Sequence, residues 1–116
     1  MEGYWVYMLT DKPRGTRYIG VTNDLLGRVA AHRLGKGSIF TSRYKLKQLV
    51  WFEGFAEPRW AIQREKTLKH FSRAWKINLI ERDNHNWEDL FPNLMKQHGL
   101  SDCDLRIIPG DFSDQQ

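Results

Sequence analysis

The sequence predicts an α+β fold in which short strands are set against capped helical segments. Three observations carry this. Two brief apolar runs near the start are separated by turn residues, and a third follows at Leu46 to Phe55. The stretches between and after them have capping residues followed by apolar side chains at helical spacing. The length of 116 residues suits one compact domain with its own core and leaves no room for two.

The elements follow in order. Tyr4 to Thr10 and Arg17 to Thr22 flank Asp11-Lys12-Pro13-Arg14-Gly15, which reads as a β-hairpin. Asn23 or Asp24 then caps a helix through Leu25, Leu26, Val29 and Ala30 that should stop near Gly35 or Gly37. Ser38 to Lys45 shows no clear period and reads as an irregular or short helical connection. Leu46 to Phe55 is the third strand. Glu57-Pro58 opens a helix, with proline in its first turn, expected to run to about Arg73. A further helical segment covers Trp75 to Arg82, and a last helix starts between Asp83-Asn84-His85-Asn86 and Trp87 and ends near Gly99. Residues 1–100 thus make the domain, and 101–116, polar and acidic with Pro109-Gly110 inside, read as a loosely held tail.

Composition narrows the function classes. Residues 1–80 carry fifteen Lys and Arg against six Asp and Glu, whereas residues 81–116 carry three against eight. A basic body with five Trp and four Tyr offers phosphate contacts and base stacking, although an ordinary basic surface has the same charge. The lone Cys103 cannot form an internal disulfide, no secretory signal precedes Tyr4, and no apolar run approaches the roughly 20 residues of a membrane span. A cytoplasmic protein is the expectation. Zinc-ligand spacing, a phosphate-cradling glycine loop and a serine or cysteine nucleophile with its base are all missing from the sequence.

Strand alternation puts Trp5, Tyr7 and Leu9 on one face and Tyr18, Gly20 and Thr22 on one face of the next strand, so Tyr7 and Tyr18 could share a side. They serve either as cross-strand packing or as chemistry, and Gly20 leaves room for a close neighbour. Arg28 and His32 are four residues apart on the first helix, beside the Leu25 and Val29 stripe. They form either a solvated face continued by Arg33 or a pair of donors for a phosphate oxygen. Glu65 sits at helical spacing with Ala61, Ile62 and Leu68, at the edge of an inward face, where a carboxylate needs a partner. That partner is either Lys69, four residues on, or a hard divalent cation.

Taken in order, these residues resemble the GIY-YIG endonuclease family, and in particular its small stand-alone bacterial members, over roughly residues 3–92. Trp5-Val6-Tyr7 stands where the first tripeptide belongs, and Tyr18-Ile19-Gly20 matches the second, with ten residues between the tyrosines. Arg28, His32 and Glu65 follow at the family's spacing, then Trp75 to Glu81 and Trp87-Glu88-Asp89-Leu90. Trp5 departs from the family's glycine.

The resemblance implies a three-stranded antiparallel sheet flanked by helices, and hydrolysis of DNA phosphodiester bonds with one Mg2+ or Mn2+ ion held by Glu65. It implies Tyr7 as general base assisted by His32, Arg28 as stabiliser of charge on the phosphate, and Tyr18 as a positioning group. Asn78 and Asn84 both compete for the asparagine often placed after the glutamate, with Asn84 preferred. Lys36, Arg43, Lys45, Lys69 and Asn84 are the expected further nucleic-acid contacts, and a protein partner is a possible source of specificity. A non-cleaving nucleic-acid-binding module is the alternative of the same fold. A protein-interaction domain, with Trp51, Trp60 or Trp75 in an exposed patch, is a third reading.

Overall fold

A computed structural model describes residues 3–99. The expected acidic tail lies outside the described residues. The order of elements is β1 (Tyr4–Thr10), β2 (Arg17–Thr22), α1 (Leu25–Arg33), α2 (Ile39–Tyr44), β3 (Gln48–Phe55), α3 (Pro58–Lys69), α4 (Arg73–Asp83) and α5 (Phe91–Gln97).

The three strands form one antiparallel sheet, as expected, and their order is β2-β1-β3. In the β1–β2 register Tyr7 lies opposite Gly20 and Leu9 opposite Tyr18. The β1–β3 register slips between Met8, which faces Trp51, and Leu9, which faces Leu49. Val50 is the extra residue of that bulge. It joins Trp51 on one side of the sheet while Leu49 packs on the other.

Both faces are covered. Tyr7, Leu9, Tyr18 and Leu49 pack with Leu25, Leu26 and Val29 of α1 and Phe91, Leu94 and Met95 of α5. Val6, Met8, Ile19, Val50 and Trp51 pack with Ala61 and Leu68 of α3 and Leu79 and Ile80 of α4. A sheet buried on both sides explains why its strands are apolar nearly throughout, instead of alternating.

Several boundaries differ from the sequence expectation. The helix after Pro58 ends at Lys69, because Ser72 accepts a hydrogen bond from the Trp75 N–H and starts α4. The last helix begins only at Phe91. Asn84 ends α4, and Trp87 has a positive φ of 57°, so the segment before Phe91 is an irregular clamp instead of a helical turn. Asn84 Nδ2 donates to the carbonyls of Val50 and Glu88 at 3.0 and 2.8 Å, and Oδ1 accepts from the Glu88 N–H. Asp89 accepts from the Leu49 N–H and from Arg33, joining β3 to α1. Trp51 is buried, whereas Trp60 and Trp75 are exposed. No helix among the described residues is long and apolar enough to cross a membrane.

Candidate active site

Alternation along β1 and β2 delivers Tyr7 and Tyr18 to the α1 face, with ring centroids 6.2 Å apart. Gly20 makes this possible. A Cβ at that position would stand 2.5 Å from the Tyr7 hydroxyl and its ring carbon, well inside contact distance.

Helix α1 supplies the facing groups. Asp24 accepts from the Gly27 N–H and fixes the helix start, so that Arg28 and His32 emerge one turn apart on the buried side. Their exposures are 2 % and 1 %, which rules out the solvated-face alternative. The Tyr7 hydroxyl lies 2.9 Å from His32 Nε2, and the Tyr18 ring is 5.3 Å from the imidazole. Burial, and then the charge of Arg28, push the His32 pKa down to about 3, so the ring is neutral at physiological pH.

Thr41 is the site residue that sequence reading missed. Its Oγ1 lies 2.7 Å from His32 Nδ1 and donates to the Ser38 carbonyl at 3.2 Å. With that proton so directed, the network is satisfied by an Nδ1–H tautomer of His32, which leaves Nε2 to accept from Tyr7. The available signal was the Ser38-x-x-Thr41 spacing. It forms a capping box at the start of α2, with Ser38 Oγ accepting from the Thr41 N–H. Gly37 is also needed, since a Cβ there would stand 2.1 Å from His32 Nδ1.

Glu65 comes from α3, which packs on the face that bears Val6, Met8 and Ile19. It is 4 % exposed, and Lys69 Nζ stands 2.8 Å from its Oε2, the i,i+4 partner that the sequence offered. Lys69 in turn lines a cleft of about 400 Å3 together with Arg17, Tyr18, Ile19, Phe40 and Lys76. This cleft connects the glutamate's side of the molecule to the tyrosine side.

Among the described residues no three His, Cys, Asp or Glu side chains gather as a metal cage. Any cation here would rest on one protein carboxylate, with waters and substrate oxygens completing its shell, a pattern that suits magnesium. Glu65 Oε2 fits that use, being buried, without a well-aligned hydrogen bond, and already facing a cation.

The other expected nucleic-acid contacts divide. Lys36, Arg43 and Lys45 are exposed around α2, and Lys36 and Arg43 line a shallow groove with Ser38 and Ile39. Asn84 is a correction: it is buried, and both its amide donors and its oxygen are engaged by Val50 and Glu88, so no group remains to reach a nucleic acid. Asn78, the rival candidate, lines a separate groove with Phe71, Trp75 and Arg82.

A small α+β domain with two tyrosines, an arginine and a histidine on one side of a three-stranded sheet agrees with the architecture that the sequence resemblance implies. The profile of the GIY-YIG catalytic domain matches residues 3–78, and the chain belongs to that family. It is 35 % identical over 81 residues to the UPF0213 protein SH2523 of Staphylococcus haemolyticus, covering 70 % of this chain and 98 % of that one. It is 35 % identical over 74 residues to the UPF0213 protein YazA of Bacillus subtilis, covering 64 % and 75 %. A UPF0213 protein of Lactiplantibacillus plantarum is 38 % identical over 83 residues, covering 69 % and 80 %. No solved structure matches significantly.

Proposed function

We propose that this protein is a divalent-metal-dependent DNA endonuclease that hydrolyses phosphodiester bonds, with a preference for DNA structure or a weak one for sequence. The observation that supports it best is the contact of Tyr7 with a neutral His32, beside Tyr18 and Arg28.

A phenol has an unperturbed pKa of about 10 and is a poor base by itself. His32 Nε2 is placed to take the Tyr7 proton while the Tyr7 oxygen takes one from an attacking water. The water oxygen then bonds to phosphorus as the bond from phosphorus to the leaving oxygen breaks. Arg28 stabilises charge on the phosphate oxygens, and the negative phosphate favours the imidazolium that burial, and then Arg28, otherwise oppose. Tyr18 positions the phosphate or the water. Glu65 would hold Mg2+ or Mn2+, which when bound polarises the scissile phosphate.

Tyr7, Arg28, His32 and Glu65 are all buried, and Phe40 of α2 stacks on Tyr18 with centroids 6.4 Å apart. In this reading α2 must shift for DNA to reach the cluster. Where specificity comes from a protein partner, the exposed Trp60 and Trp75 are the natural contacts. The same reading takes the enzyme to act on DNA in the cytoplasm.

The test follows labelled duplex, single-stranded and branched DNA with Mg2+ or Mn2+. Wild type should cut, whereas Glu65→Ala and Tyr7→Phe should bind and not cut. Undiminished cutting by Glu65→Ala defeats the reading, and metal-independent binding with no product from wild type identifies a non-cleaving module.

A further inference from the structure

Cations gather where the outer edge of β2 meets the start of α4. Arg17 and Lys76 line the cleft described above, with the half-exposed ring of Phe40 as one wall. Lys69, the third cation of the lining, has Glu65 beside it. Arg17 and Lys76 have no carboxylate within ion-pair distance among the described residues. Arg17 gives one Nη1 hydrogen bond to the Gly15 carbonyl, and its Nε is buried without a partner.

The arrangement works against itself. Burial and then the charge of Arg73 make Arg17 harder to keep protonated, and burial and then Arg17 do the same to Lys76. Arg73 and Lys76 also occupy the first turn of α4, which contains no acidic residue. The positive end of a helix dipole favours anions there and opposes cations. Glu81 does not relieve the cluster, being engaged by Arg14 and Trp87, and Arg73 donates to the Arg14 carbonyl. An anion in the cleft would offset the repulsion, the lost hydration and the unfavourable dipole together.

We propose that this cleft is a phosphodiester-binding subsite, in which Arg17 and Lys76 hold a backbone phosphate flanking the bond to be cut. The position of that phosphate beside the scissile bond rests on the nuclease reading, and the phosphate site itself on the cluster. Arg17 offers the terminal guanidinium donors that the Gly15 carbonyl does not take and Lys76 a point charge, while Phe40 gives the adjoining sugar an apolar wall. Tyr18, which lines the same cleft, ties the subsite to the Tyr7 and His32 cluster.

The experiment measures binding of a fluorescent DNA duplex to the full chain with metal chelated, across a salt series. It compares wild type, Arg17→Gln with Lys76→Gln, and a control, Arg82→Gln with Lys96→Gln, which removes equal charge from exposed positions outside the cleft. The cleft variant should bind about tenfold or more weakly at low salt. Its plot of log affinity against log salt should be shallower by about 0.9, the loss of one phosphate contact. Its melting temperature should equal or exceed that of wild type, since repulsion is relieved, which separates lost binding from lost folding. The control should keep the wild-type slope.

A cleft variant that matches the control in affinity and slope overturns the proposal. So does a difference seen only with 5′-phosphorylated DNA, which would mark a site for terminal phosphate. Because the binding assay needs no metal, a wild type that never cleaves DNA when Mg2+ or Mn2+ is supplied, while the slope change persists under chelation, defeats the nuclease reading and leaves the subsite standing.

Discussion

His32 should make the protein sensitive to mild acid in a way that one substitution removes. In the unfolded chain its imidazole takes a proton below about pH 6.5, whereas in the fold burial and Arg28 delay this to about pH 3. The unfolded state therefore binds the extra proton between those limits, and stability falls as the pH drops through the window. Because the folded value lies well below pH 5, the loss between pH 7 and pH 5 is set by the unfolded value and comes to about 2 kcal/mol. Urea unfolding of wild type and His32→Gln at both pH values measures it. Other groups titrate in both proteins and cancel in the difference. Wild type should lose about 2 kcal/mol more than the variant. Equal losses in the two proteins would show that His32 is protonated in the fold, and the neutral acceptor assigned to it would be wrong.

Two other substitutions probe the frame around the site. Gly20→Ala drives a methyl into the Tyr7 ring and should cost about 1 to 3 kcal/mol in thermal or urea unfolding, with cleavage reduced further than stability alone explains. Full stability would mean that Tyr7 moves aside freely. Asn84→Ala strands the buried Val50 carbonyl and two groups of Glu88, and should cost about 2 to 4 kcal/mol while DNA affinity stays at the wild-type level. A weakened affinity in a protein that still folds would restore Asn84 to the nucleic-acid surface.

Period-two alternation brought Tyr7 and Tyr18 to one face, and i,i+4 spacing aligned Arg28 with His32, because both patterns are local properties of backbone geometry. The ion pair of Glu65 with Lys69 was legible for the same reason. The depth of Arg28 and His32 was not, because it depends on α2 and β2 closing over the end of α1. The bulge at Val50 escaped because register is a property of two strands, and β3 alone reads as one apolar run. The residues around Asn84 look like a helix start in sequence. Their polar groups instead reach across to β3, a choice visible only once β3 is in place. The pairing of Arg17 with Lys76 joins residues on a hairpin and a distant helix, so neither position stands out among the many cations of the sequence.

The clamp formed by Asn84 and Asp89 also separates two meanings of a domain. The family match ends at residue 78, inside α4, yet the groups that pin β3 and the side chains that close one face of the sheet, Phe91, Leu94 and Met95, come afterwards. A chain cut at the last matched residue would retain Tyr7, Tyr18, Arg28, His32 and Glu65 and still expose the core that holds the first four in place. The matched span and the cooperative folding unit thus have different edges in this protein, and residues beyond the match determine whether the rest can stand.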